Sequence, residues 1–241
     1  MAKINLEIAV FSVEAALAAI EAGADRIEFC ENPLEGGTTP SFGSLSTLIT
    51  LTSKPVFPII RPRGGDFLYT KNEFNAMRSD VLIARKLDYP GIVLGLLNAD
   101  GSIDTERTKR LVDLASPMEV TFHRAFDRCK DPFKSLEDII ATGCKRILTS
   151  GQVPNAVDAT PLLKKLVEQA GDRIIIMPGS GVRSNNIKEI IQATGAKEIH
   201  SSARKMLPTQ MLYFKATMQE ELLSTGVDKE EIKKMLEQLQ D

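Results

Sequence analysis

The chain has 241 residues, 43% hydrophobic and 26% charged, with 16 Gly and 12 Pro, an ordinary globular composition that excludes a disordered or fibrous protein. Lys and Arg total 30 against 32 Asp and Glu, a net charge of −2, so the basic excess needed for sequence-independent nucleic-acid binding is missing. The longest unbroken apolar run, Gly91 to Leu97, is far short of the ~18 residues of a spanning helix, and Lys3, Asn5 and Glu7 break any leader-like start. A cytoplasmic protein with neither nucleic acid nor membrane as partner is therefore expected.

In chain order, strands are predicted near residues 4–10, 25–30, 56–62, 91–97, 118–124, 145–150, 173–178 and 196–201, and helices near 12–22, 43–52, 72–88, 104–115, 133–142, 156–170, 184–194 and 228–239. Gly23, Gly143, Gly171 and Gly195 each stop an amphipathic helical run two or three residues before a new apolar strand, since Gly adopts the left-handed C′ conformation without a Cβ clash. Ser184 is the expected N-cap of the seventh helix. The last helix carries Asp228 as N-cap, Glu231 three residues on, Val227 and Ile232 placed for a hydrophobic staple, and a stripe of Met235, Leu236 and Leu239. Between the eighth strand and that helix, residues 203–226 hold Met206, Leu207, Met211, Leu212, Tyr213, Phe214 and Met218, expected to form a packed extra helix in preference to a lid or a subunit contact. Eight βα units in about 250 residues favour an α/β fold with one (β/α)8 TIM barrel, a single domain over residues 1–241.

Barrel strands are covered on both faces and normally read as continuous apolar runs. Here Glu7, Glu28, Cys30, Arg61, Arg63, Thr121, His123, Thr149, Glu198, His200 and Ser202 recur in two-residue steps toward strand ends. Buried charges need partners, so one reading is an internal ion network that closes the barrel. The other is a small-molecule site at the carboxyl ends of the strands, where converging carboxylates, arginines and both histidines acquire perturbed pKa values. Three loops favour the site. Arg61-Pro-Arg-Gly-Gly-Asp66 offers forked donors for a carboxylate or phosphate, Glu35-Gly-Gly-Thr-Thr39 repeats the glycine pair, and Gly179-Ser-Gly181 with Ser201-Ser202 falls after strands seven and eight, where phosphate-binding barrels hold phosphate. In this scheme His123, Glu28, Arg61 and Glu7 carry the acid–base chemistry and nearby anion contacts. Arg63, Gly179, Gly181, Ser201 and Ser202 hold the anion, with Arg61 and Arg63 reaching over the mouth. The three cysteines, Cys30, Cys129 and Cys144, are far apart with no C-x-x-C, so reduced thiols are expected rather than a disulfide framework or a zinc site.

From Leu6 to Arg204 the chain resembles the CutC family. The residues that carry the resemblance are Leu-Glu-Ile at 6–8, Gly-Ala-Asp-Arg-Ile-Glu-Phe-Cys at 23–30, Glu-Gly-Gly-Thr-Thr-Pro-Ser at 35–41, Ile-Arg-Pro-Arg-Gly-Gly-Asp-Phe-Leu-Tyr at 60–69, Val-Thr-Phe-His-Arg-Ala-Phe-Asp at 120–127, Ile-Leu-Thr-Ser-Gly at 147–151, and the stretches 177–183 and 200–204. The resemblance implies a (β/α)8 barrel, a cytoplasmic homo-oligomer (dimer or tetramer), and a link to copper homeostasis through cysteines at the ends of the first two strands. Cys30 stands at the second of these positions, and Ala9 at the first. Two functions follow: a copper-handling protein that holds a copper ion with Cys30 and His200, or an enzyme acting on a small phosphorylated or carboxylated metabolite.

Overall fold

The computed structural model describes residues 3–240. Strand and helix alternate as β1 (Asn5–Val10), α1 (Val13–Glu21), β2 (Arg26–Phe29), α2 (Phe42–Leu51), β3 (Val56–Pro58), α3 (Lys71–Lys86), β4 (Gly91–Leu94), α4 (Thr105–Ala115), β5 (Glu119–Phe122), α5 (Pro132–Thr142), β6 (Arg146–Thr149), α6 (Thr160–Ala170), β7 (Ile175–Pro178), α7 (Ile187–Thr194) and β8 (Glu198–Ser201). A hairpin of β9 (Arg204–Pro208) and β10 (Leu223–Val227) follows, then α8 (Lys229–Gln240). Local chemistry sets the helix ends. Thr70 and Glu73 form a reciprocal capping box at α3, Asp131 accepts from two backbone N–H groups at α5, and Gly143 and Gly195 stop α5 and α7 in the left-handed conformation.

All eight barrel strands are parallel. They pair in two arcs, β3-β2-β1-β8 and β4-β5-β6-β7, joined at one seam by a single bridge between Ile59 and Val93 and at the other by one between Gly179 and His200. The strands therefore follow chain order around a (β/α)8 TIM barrel. Strand parity divides the apolar interior in two. Leu6, Ile8, Val10, Ile27 and Phe29 face the helices and join the large core, whereas Cys30, Phe57, Ile59 and Val93 form a small cluster inside the ring. Most of the remaining ring interior is polar, with Ala9, Leu148 and Met177 among the charged groups, and it builds the site.

Two expectations are corrected. Residues 203–226 form an antiparallel hairpin rather than a packed helix: Met211, Leu212, Tyr213 and Phe214 are a contiguous run with no helical spacing, and all four stay exposed. Ser184 does not cap α7, whose preceding residue is Asn186. Its N–H and hydroxyl both donate to the Glu231 carboxylate, at 2.8 and 3.0 Å, tying the loop after β7 to α8. That bond also diverts Glu231 from the capping box expected with Asp228.

Candidate functional site

The lower half of the ring interior is an ion network. Arg26, at the start of β2, donates to Glu7 of β1 through Nε and to Glu198 of β8 through Nη2, the latter at 2.5 Å. Arg146, at the start of β6, donates to Glu198 at 3.1 Å, to Glu119 at 2.7 Å and to the Thr121 hydroxyl at 3.3 Å. Both guanidinium groups lie over the Phe57 ring, 5.2 and 5.3 Å from its centroid. Burial alone would raise the Glu7 pKa, but the Arg26 charge and a 2.8 Å bond to His200 Nδ1 more than offset it, so Glu7 is held down at about 2. The network reading is thus correct for Glu7 and Glu198.

Above this floor a cavity of ≈ 260 Å³ opens at the carboxyl ends of the strands, and its walls include Glu28, Cys30, Arg61, His123, His200 and Arg204. The Glu28 carboxyl has no hydrogen bond to protein among the described residues, and its ion-pair contact is His200 Nε2 at 3.6 Å. Burial pushes its pKa up to about 7, against the pull of His200 and with added repulsion from Glu7. For His200, burial acts to lower the pKa, but the bond to Glu7 and the charges of Glu28 and Glu7 raise it, which favours the imidazolium.

His123 is the electrostatic opposite. Burial, helped by the Arg61 charge, pushes its pKa down to about 3, so the ring is neutral. Its Nδ1 accepts from the Ala125 N–H at 3.2 Å, which assigns the proton to Nε2, and that buried Nε2 has no partner. The ring can sit there only because residue 95 is glycine: a Cβ at Gly95 would lie 2.4 Å from His123 Nδ1. A buried donor without an acceptor, on a residue that lines a cavity, is a place for a ligand oxygen.

The arginines divide by what already holds them. Arg61 donates to the carbonyls of Glu35 (2.6 Å), Gly37 (2.8 Å) and Gly65 (2.9 Å), so it ties the loops after β2 and β3 together at the cavity wall. Arg63 does not reach the mouth. It pairs with Glu73 at the start of α3 and with Asp66, at 2.5 and 2.9 Å, because the chain has left β3 and the two-residue alternation no longer applies. Arg124 is held by Asp127 and Ser150. Arg183 and Arg204 also line the cavity, yet among the described residues neither pairs with a carboxylate: Arg183 contacts the Arg204 carbonyl at 3.5 Å, and Arg204 lies over the Phe11 ring.

Of the other expected anion contacts, Gly181, Ser201 and Ser202 line the cavity beside these two arginines, whereas Gly179 packs between Leu148 and His200 and is not on its wall. The Ser201 hydroxyl donates to the Val182 carbonyl at 2.7 Å. Thr149 faces away from the ring interior, donating to Asp127 at 2.5 Å. Sequence reasoning missed Arg26, Arg146, Arg183 and Arg204 as site residues. Parity could have found Arg26, two residues before Glu28, and Arg204, two after Ser202.

Glu7, Glu28 and His200 bring one donor atom each within 4.8 Å of one another, the one such grouping among the described residues that could hold a metal. It is a set of two carboxylates and an imidazole, with the Arg26 guanidinium bonded to one of them, and such oxygen-rich sets do not suit Cu(I). Cys30 is the single soft ligand among the residues lining the cavity, and without a metal, burial, with repulsion from Glu28 and Glu7, raises its pKa well above the ordinary range. The residues present do not fit a Cu(I) site.

The sequence profile of the CutC family matches residues 4–205. A CutC family protein of Chromobacterium violaceum is 50% identical over 208 residues, covering 86% of this chain and 84% of its own, and one of Parabacteroides distasonis is 50% identical over 209, covering 86% of each. Among solved structures, a CutC protein of Streptococcus agalactiae, whose description links it to copper homeostasis, is 34% identical with a TM-score of 0.78, covering 83% of this chain and 98% of its own. A phosphoribosylanthranilate isomerase of Thermotoga maritima shares the fold at 13% identity, with a TM-score of 0.60 and 98% of each chain covered.

Proposed function

The chain belongs to the CutC family, and from the geometry of its barrel mouth we propose that it binds a small phosphorylated or carboxylated metabolite and moves a proton on it. Glu28 is the general acid or base, neutral His123 donates from Nε2 to a substrate oxygen, and Arg183, Arg204, the Gly181 backbone and Ser202 hold the anionic group. The observation that carries this reading is the buried, unpartnered Nε2–H of His123, a residue of the cavity wall that Glu28 also lines. A carboxyl group tuned near neutral pH exchanges protons efficiently under cellular conditions. Two cavity arginines free of carboxylates supply charge-assisted donors. The reading takes the protein as a cytoplasmic homo-oligomer, and it sets the family's link to copper apart from the chemistry of this cavity.

A thermal titration with inorganic phosphate at constant ionic strength tests it. A ligand that binds only the native state stabilises it by RT ln(1 + [L]/Kd). Phosphate should raise the Tm of the wild type and of Arg63→Ala alike, because Arg63 lies outside the cavity. Removing a charge-assisted bond costs roughly 1.5–3 kcal/mol, so Arg183→Ala and Arg204→Ala should each need at least about tenfold more phosphate for the same shift. Equal responses in all four proteins would contradict the reading.

A further inference from the structure

Resting on that reading of the mouth, we infer that the substrate is a phosphorylated α-hydroxy carbonyl compound, such as an aldose or ketose phosphate, and that the reaction exchanges its carbonyl and hydroxyl through an enediol. The inference comes from two side chains that the fold leaves with unused hydrogen-bonding capacity. His123 offers a neutral, buried N–H with no acceptor, anchored by its bond to Ala125, which suits a carbonyl oxygen that gains charge during reaction. Glu28 offers a carboxylate with no hydrogen bond to protein, on the wall of the same cavity. A neutral imidazole aimed at a carbonyl and a carboxylate base beside the adjacent carbon are the two parts that proton abstraction next to a carbonyl requires. The phosphate lies at the third corner, against Arg183, Arg204 and Ser202. At ≈ 260 Å³ the cavity is just below the usual ~300–1,000 Å³ for ligand sites, which fits a sugar phosphate better than a nucleotide.

The protons balance within these groups. The Glu28 carboxylate takes the proton from the carbon bearing the hydroxyl, and the C–H electron pair becomes the double bond of the enediol. The carbonyl electron pair moves onto oxygen, which takes the Nε2 proton of His123. The imidazole then recovers a proton from the neighbouring hydroxyl, and the new carbonyl forms there as Glu28 returns its proton to the former carbonyl carbon. Nothing is oxidised overall, and the protein ends in its starting protonation state. The Arg26–Glu7–His200 chain lies beneath and fixes the charges that Glu28 faces.

The experiment incubates the protein in D2O with dihydroxyacetone phosphate, ribose 5-phosphate and fructose 6-phosphate and follows carbon-bound deuterium by NMR. With the wild type, deuterium should enter next to the carbonyl of at least one probe. General acid–base groups contribute typically ~10²–10⁴-fold, so Glu28→Gln and His123→Asn should each lower exchange by at least about 100-fold. Both variants should keep the phosphate-induced rise in Tm, which reports that they fold and bind. His123→Asn retains an acceptor for the Ala125 N–H and loses only the distal donor. No exchange on any probe, or equal exchange with Glu28→Gln, overturns the inference while a normal phosphate response leaves the anion site standing. Loss of the distinction between Arg183→Ala and Arg63→Ala in phosphate overturns the underlying reading instead.

Discussion

Glu28 sits where burial and charge oppose each other. Burial removes water from the carboxylate and Glu7 repels it, while His200 and Arg26 attract it, and burial prevails, pushing the pKa from 4.5 to about 7. A folded-state value above the unfolded one means that the native state binds this proton more tightly. The carboxyl therefore weakens stability progressively as pH rises from the unfolded value to about 7, and the full cost is present above that. Glu28→Gln mimics the protonated form and escapes the cost, so its Tm should exceed that of wild type at pH 8 by more than at pH 5. Scanning calorimetry of both proteins at the two pH values checks this, and a pH-independent difference would mean that Glu28 titrates normally. Parity makes Glu28, His123 and His200 legible in the sequence, because polar side chains two residues apart on a covered strand have only the ring interior to occupy. Arg63 is not legible in that way, since a two-residue step carries past a strand that ends at Pro58.

At the scale of elements, the eight barrel strands and their helices read well because each unit carries its own punctuation: a cap such as Thr70 with Glu73, an amphipathic stripe, and a closing glycine such as Gly143. The β9–β10 hairpin reads poorly. Its pairing, Lys205 opposite Gly226 and Leu207 opposite Ser224, joins residues far apart in sequence and leaves no local period. Nor does it bury its large side chains: Met211, Leu212, Tyr213 and Phe214 are 66, 103, 70 and 68% exposed. Side chains that bury so little area lend little hydrophobic stability. Replacing these four residues by Ser should leave the Tm of the monomer within about 1–2 °C, in keeping with the small effects of surface changes. Sedimentation velocity with thermal melts provides the check, and a fall of several degrees together with a loss of mass would show that this face is covered in an oligomer.

For the molecule as a whole, the barrel works as a layered electrostatic device. Arg26 and Arg146 knit β1, β2, β5, β6 and β8 together from inside through Glu7, Glu119, Glu198 and Thr121. Removing one member of such a network leaves a buried charge without its partner, so the floor is rigid by necessity. The same floor sets the charge of the layer above: Glu7, kept ionised by Arg26, bonds His200 and raises its pKa, and His200 in turn faces Glu28. His123, buried and beside the Arg61 charge, stays neutral. The central claim is therefore a contrast between the chain's two histidines, and nitrogen-resolved NMR of imidazole-labelled protein, titrated from pH 5 to 8 and then with ribose 5-phosphate, measures it directly. The account predicts that His123 remains in the neutral Nε2–H form throughout, that His200 is charged at the acidic end, and that the sugar phosphate shifts the His123 Nε2 resonance. A His123 that titrates with the ordinary value of about 6.5, or an Nε2 resonance indifferent to saturating sugar phosphate, would contradict it.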